Sequence, residues 1–538
     1  MPLPWLLAFL VAAVFANVEP PPSNAVKALA SLLSSPLHQL PESQLVAEFD
    51  TGSANGSACS AACSALTLRY GERCAQPGTE AYNSFGTGFW SLQQGNARPA
   101  CVFKPTSATE VSVAVQLARL LQCPFAVKSG GHAAFAGASN IPDGITIDFK
   151  LMNAITHSPE RDQASIGPGN TWFDVYTALE PEGLAVIGGR VAEIGVGGLT
   201  LGGGISFFSG LYGWACDNVV EFEVVTANGS IVNVSPEAEP DLYWALRGGG
   251  NNFGIVTRFT LSTFPQGLMW GGGRIHTFEQ KDGLVSAFTN FGFNAPQDPR
   301  AAVILSIGHV QGMYLAASDL QYADPVADPP ILENFTAAAI PNVLQDSTSV
   351  RTLPNLTQYF NALNPNGLRQ TYWTAAYKNN ADLTSFIFDT FIEEVDPIQN
   401  ITALLPAVSL QFITTPMMAR MKERGGNALG LEDEKEPLVL VNVNVMWREE
   451  ADDKAVLSAA ANTVRKVNEK AKSVNLHHEF EYMNYASQYQ DPVSSYGAEN
   501  NARLLAIAKK YDPEGVFQKL QPGYFKLDHA PKSPWPGR

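Results

Sequence analysis

Positive charge is scarce in this chain. Of 538 residues only 35 are Lys or Arg against 51 Asp or Glu, a formal net charge of −16, and no basic block occurs anywhere. Such a surface repels phosphate backbones and anionic lipid, so neither nucleic acid nor a membrane surface is an expected partner. Beyond the first 16 residues no segment approaches an uninterrupted apolar run long enough to span a bilayer. Several catalytic signatures are missing as well. There is no G-x-x-x-x-G-K-[ST] loop, no G-x-S-x-G elbow and no H-E-x-x-H pair, and the adjacent His477 and His478 face opposite ways on a strand. Gly195-Val-Gly197 is followed by Thr200 where a dinucleotide fingerprint needs its third glycine, which disfavours a Rossmann fold. Cysteine stops at Cys216. The six cysteines (Cys59, Cys63, Cys74, Cys101, Cys123, Cys216) include a C-x₃-C pair that no histidine or second cysteine pair completes, so disulfides rather than a metal are expected. The sequence does not choose their pairing; Cys216, in a glycine-rich and buried-looking stretch, is expected to stay free.

What is present is apolar material in quantity. Hydrophobic residues make up 45% of the chain, enough for more than one core. Trp5 to Phe15 is a short apolar stretch followed by Val14-Phe15-Ala16, an A-x-A-like site without the usual basic start. Residues 1–16 are therefore read as a signal peptide. A secreted chain could then be N-glycosylated at the sequons of Asn55, Asn228, Asn233, Asn334, Asn355 and Asn400.

Residues 17–95 are Ser/Ala/Pro-rich, with a weak helical pattern from Ala25 to Leu33. From Pro99 onward regular elements follow: an amphipathic helix capped by Ser107 or Thr109 and running to Leu121, strands at 124–128, 144–148 and 163–167, and a helix from Trp172 to Leu179. Strands at 220–226 and 231–234 flank the turn Ala227-Asn228-Gly229. After Phe264-Pro265 glycine thins out. Strands near 270–276, 302–308, 405–413 and 438–446 alternate with helices near 280–292, 382–395 and 452–471, an antiparallel sheet covered by helices. The expected division is 17–265, an inserted unit at 266–478, and a return segment at 479–538.

The chemistry concentrates in glycine clusters. Phe125-Ala-Val-Lys128 reads as a strand that stops at Ser129-Gly130-Gly131-His132, and paired glycines let main-chain N–H groups approach a phosphate. Pro105-Thr-Ser107, Lys128 to His132, Gly195-Val-Gly-Gly198 with Gly202-Gly-Gly204, Tyr212 to Val219, Asp241 to Val256, Tyr482-Met-Asn-Tyr485 and Tyr511 to Phe517 stand in the order and spacing of one family. Over roughly residues 97–265 and 440–527 the chain resembles the vanillyl-alcohol-oxidase/berberine-bridge-enzyme-like flavoproteins, in their 6-hydroxynicotine-oxidase-like branch.

The resemblance implies an α+β fold, a two-part PCMH-type FAD-binding domain with an inserted antiparallel-sheet substrate domain. It implies FAD held by Lys128, Ser129, Gly130, Gly131, His132, Ala133, Gly137, Ile194, Gly195, Gly197, Gly198, Leu199, Gly202, Ile255, Val256 and Asn484, with the Gly195–Gly204 run lying flat along the isoalloxazine. His132 would form an 8α-N-histidyl bond. Val191 stands where many relatives carry a second linking cysteine, so a single covalent link is expected. Leu199 replaces a histidine of some relatives, and Ile194 falls at a position thought to gate oxygen, where a β-branched residue resembles oxidases. Arg247 reads either as a salt bridge fixing a helix end, the favoured option, or as an anchor near the cofactor. Oxidation of a C–H bond needs a proton acceptor. Tyr485 is the first nominee, with Tyr482 and Gln411 behind it; on a strand the two tyrosines would face opposite ways. The expected protein is a secreted, monomeric oxidase of a small organic substrate, using O₂. A carbohydrate oxidase, a dehydrogenase and a flavin-carrying but idle binding protein are the rivals.

Overall fold

A computed structural model describes residues 58–528; the expected signal peptide, the Ala25–Leu33 pattern and Asn55 lie outside them. Three sheets organise the described chain. The first has four strands in the order Cys74–Ala75, Cys101–Phe103, Ile145–Asp148, Phe125–Lys128, the last three mutually parallel. Its crossover helix, Ala108–Leu121, begins at Ser107, whose side chain accepts from the Glu110 N–H, and ends where Gln122 turns left-handed at φ 53°. The second sheet is antiparallel and centres on the long strand Ile255–Pro265, flanked by Val219–Val225 and Gln163–Ile166. Ile231–Val234 pairs with Val219–Val225 across the expected Asn228-Gly229 turn.

The third sheet has nine strands among the described residues and is antiparallel, with Met269–Thr277, Met313–Tyr322, Ala301–Val310, Leu405–Ile413, Leu438–Trp447 and Arg369–Lys378 in that spatial order. Side chains alternate across it, as the pleat requires. Val303, Leu305 and Ile307, then Val408, Leu410 and Phe412, then Val439, Val441, Val443 and Val445, enter one core. There they meet Phe288, Phe391 and Val464 of the helices Lys281–Asn294, Ala381–Val395 and Asp453–Ser473. The intervening residues point away from those helices. Among the described residues, no helix is long and apolar enough to cross a membrane.

Two disulfides, Cys59–Cys123 and Cys63–Cys101, fasten the helix Ala58–Tyr70 to the first sheet, at the start of the strand Cys101–Phe103 and just before the strand Phe125–Lys128. Cys74 and Cys216 are free and buried. The return segment closes the first two units: the Phe125 N–H donates to Leu520 O at 2.6 Å, and Asn252 Nδ2 donates to Phe525 O at 3.0 Å.

Candidate cofactor and substrate site

Between the glycine loops and the third sheet lies a cavity of about 550 Å³. One wall is built by Ser129–Ala133 and by Ile194, Gly195 and Gly197–Leu199, with Ile255 and Val256 beside them. The loops touch back to back. A Cβ on Gly130 would lie 2.4 Å from Gly195 N, and one on Gly195 would lie 2.1 Å from Gly130 N. Ser129 joins them: its Oγ donates to Pro168 O at 2.6 Å and accepts from the Gly197 N–H at 3.1 Å. Gly131 takes φ 75°, where a side chain would also meet Lys128 and Phe89. The expected flat Gly195–Gly204 run is instead a short helix, Val196–Leu201, with Gly195 at its N-cap, because consecutive residues there close helical hydrogen bonds, Gly202 N–H to Gly198 O among them.

His132 lines the cavity with its ring stacked on Trp90, centroids 4.4 Å apart and planes at 13°. The Trp90 N–H donates to Gly131 O and Gln94 Nε2 donates to Ala133 O, so the segment before residue 95 holds the loop in place. His132 Nε2 is buried without a hydrogen-bond partner, and burial lowers the imidazole pKa to about 4. The ring is therefore neutral at physiological pH and keeps a free lone pair, the form that acts as a nucleophile.

Three expected cofactor residues stand off the wall. Lys128 is buried beneath it, with Nζ 3.6 Å from Asp148 Oδ1 and over the Phe89 ring. Gly137 packs on Gly523, where a Cβ would lie 1.7 Å from Gly137 O. Gly202 makes room for Asn484, whose Oδ1 would sit 2.2 Å from a Cβ there. Asn484 itself is at the cavity, donating to Leu199 O and to the Tyr482 hydroxyl, each at 3.0 Å, and accepting from the Tyr524 hydroxyl. Arg247 does not line the cavity. It is fully buried against Asp217 at 3.0 Å and donates to Cys216 O and Gly426 O, the structural reading.

Tyr482 and Tyr485 both reach the cavity, contrary to the expectation of opposite faces. Met483–Tyr485 is a 3-10 turn rather than a strand, which brings their rings to 4.9 Å. The Tyr482 hydroxyl accepts from the Gly204 N–H at 3.1 Å, and burial pushes its pKa far up, which disfavours the tyrosinate that a base would need. The Tyr485 hydroxyl accepts from Arg190 Nη2 at 2.9 Å. Gln411 also lines the cavity, but a carboxamide takes up no proton at neutral pH.

Beside Gln411, which the sequence had put forward, the floor holds groups it did not disclose. Ser306, Ser409, Asn442 and Asn444 lie with Gln411 on three adjacent strands, and Gln411 Oε1, Asn442 Oδ1 and Asn444 Oδ1 have no hydrogen-bond partner. Asp319, from the strand Met313–Tyr322, also faces in. The alternation Val-Asn-Val-Asn-Val at 441–445 was a readable signal for the asparagines; Asp319 sits among Ala, Ser and Gln, where no alternation shows. The arrangement fits a flavin: a main-chain wall without obstructing side chains, an unpartnered neutral imidazole in it, and an acceptor-rich floor opposite.

A sequence model described as an FAD binding domain matches residues 99–235. The chain is 39% identical to the FAD-dependent monooxygenase tpcD of Cochliobolus heterostrophus over 455 residues, 82% of this chain and 87% of that one. Among solved structures it is similar to BBE-like 1 of Physcomitrella patens, with a TM-score of 0.72, 21% identity and coverage of 87% of this chain and 99% of that one. It is also similar to 6-hydroxy-D-nicotine oxidase of Arthrobacter nicotinovorans, with a TM-score of 0.69, 20% identity and coverage of 85% and 97%. The glycine-walled cavity and a relative alike along most of both chains lead to one conclusion: the protein belongs to the FAD-dependent oxidoreductases, with the fold of the berberine-bridge-enzyme-like proteins.

Proposed function

We propose that the protein is an oxidase carrying FAD on a single covalent bond, from His132, and acting on a small, largely apolar molecule with a hydroxyl, phenol or amine. The observation that carries this reading is His132 itself, a neutral imidazole in the cavity wall with a buried, unpartnered Nε2. FAD bound there would accept a hydride from the substrate and pass the electron pair to O₂. Ser129–Ala133, Ile194–Leu199 and Ile255–Val256 would hold it, while the sheet floor orients the substrate. Val191 lines the cavity as an aliphatic side chain, which supports one link rather than two. Phe360, Ile275, Leu315 and Tyr372 make the substrate side more apolar than a sugar requires. Precipitating the protein in acid tests the link: yellow colour is expected in the pellet for the wild type and in the supernatant for His132→Ala. A colourless wild-type pellet overturns it.

The name of the relative favours a second reading, insertion of oxygen into the product. Turnover under ¹⁸O₂ separates the two, because an oxidase leaves the label in peroxide and a monooxygenase leaves it in the organic product. Secretion as a glycosylated monomer is part of the proposal. It is supported by two disulfides, which persist in oxidising compartments, and by the exposure of Asn228, Asn233, Asn355 and Asn400.

A further inference from the structure

We infer that Asp319 is the catalytic base, the group that takes the substrate's O–H proton, with Tyr359 as its positioning residue. The inference rests on the oxidase reading and names a residue for it. Asp319 is the only carboxylate lining the cavity among the described residues. Its strand places it next to Ile304, which in turn pairs with Gln411, so Asp319 and Gln411 flank Ile304 on the cavity face. On its other side the paired residue is Gly273. A Cβ there would lie 2.1 Å from the Tyr359 hydroxyl and 2.7 Å from Asp319 Oδ1, so the glycine opens the space in which the two meet.

Tyr359, from the helix Leu353–Ala362, donates its hydroxyl to Asp319 Oδ1 at 3.3 Å. That bond engages one carboxylate oxygen. Two charged groups bear on the pair: Arg190, whose charge favours the ionised Asp319, and Arg351, which lies 5.7 Å over the Tyr359 ring. Ile304 and Gly273, the neighbours on either strand, carry no charge. Asp319 is only 7% exposed, and this desolvation raises its pKa to about 7, so near neutrality it can both accept and release a proton. The balance for an alcohol is simple. The O–H bond breaks with its proton going to the Asp319 carboxylate, the C–H bond breaks with its hydride going to FAD, and a carbonyl forms. The substrate is oxidised by two electrons, FAD is reduced by two, and Asp319 returns its proton to water after the product leaves.

The test reads binding as well as rate. The holoenzyme is titrated with 4-methoxyphenol, followed by the visible spectrum of its flavin, from pH 5.5 to 8.5. A phenol donates better to a carboxylate than to a carboxylic acid, so affinity is expected to rise about tenfold across pH 7 in the wild type. It should stay flat in Asp319→Asn and recover its slope in Asp319→Glu. Flavin reduction by a turned-over alcohol should slow about 10²- to 10⁴-fold in Asp319→Asn. A flat wild-type titration, no spectral response at any pH, or an unchanged slope in Asp319→Asn overturns the inference. The titration needs only bound FAD, so a colourless acid pellet would sink the covalent reading and leave this result standing.

Discussion

Gly130 and Gly195 approach so closely that neither can carry a side chain. Each would drive a Cβ to within 2.4 Å of the other's main-chain nitrogen. Gly195 has φ −74°, a conformation open to every residue, so space alone excludes substitution there. Gly195→Ala is expected to separate the two loops, lower stability by about 1–3 kcal/mol as overpacking does, and strip most of the FAD. The ratio of flavin to protein absorbance in the purified variant checks it; a full complement of flavin would contradict the close approach.

The two tyrosines of the return segment should separate by experiment. Tyr482→Phe leaves the Gly204 N–H and Asn484 Nδ2 without their shared acceptor in a buried site, and should destabilise the fold by about 1–3 kcal/mol. Tyr485 is half-buried, so Tyr485→Phe should cost under about 1 kcal/mol because Arg190 can turn to water. Denaturant unfolding midpoints decide between them.

Stability should depend on pH through Asp319. Its folded pKa of about 7 lies above the usual carboxylate value near 3.8, so between those values the folded state holds a proton that the unfolded state has lost. Stability from this group is present below pH 3.8, falls as pH rises toward 7, and is gone above it. Asp319→Asn should therefore raise stability at pH 8, by up to about 4 kcal/mol, and bring little change near pH 4. Melting curves at the two pH values measure the difference.

His132 runs the other way. With a folded pKa of about 4 it resists protonation that the unfolded chain accepts near 6.5, so its contribution is complete above pH 6.5 and falls away as pH drops toward 4. Alkylation of the imidazole by flavin, as proposed, would change that equilibrium. A preparation lacking FAD should lose stability between pH 6.5 and 4 more steeply than one carrying it. Equal slopes would count against a flavin link at His132.

Thiol chemistry offers a fifth check. Burial raises the Cys74 thiol to about 11 and the Cys216 thiol well above its usual value, and the other four cysteines are paired. The folded protein should take up no iodoacetamide, and two equivalents after denaturation without reductant. Replacing Cys63 and Cys101 together by Ser should cost about 2–4 kcal/mol.

Much of this architecture is legible in the residues, for physical reasons that differ by region. The helix from Ala108 and the strands around the glycine loops announce themselves through caps, turns and apolar runs. The loop Ser129–His132 is readable because its backbone demands glycine at successive positions. The strands Met313–Tyr322 and Arg369–Lys378 are not, since their cavity-lining positions, Leu315, Ala317, Asp319 and Tyr372, make no regular polar series. Asp319 hides for that reason. Tyr482 and Tyr485 are visible as a motif, but the 3-10 turn that swings both inward depends on contacts with Gly204 and Arg190 far away in sequence.

The return segment also sets an order of events. Synthesis delivers the His132 loop early, but Tyr482, Asn484, Leu520 and Phe525, which bolt the neighbouring main chain in place, arrive only after the whole nine-stranded sheet has left the ribosome. The flavin therefore meets a finished pocket only in the completed chain. A truncation before residue 480 would lack these fastenings however well its first half collapsed, which makes cofactor retention a report on whether residues 480–528 have docked.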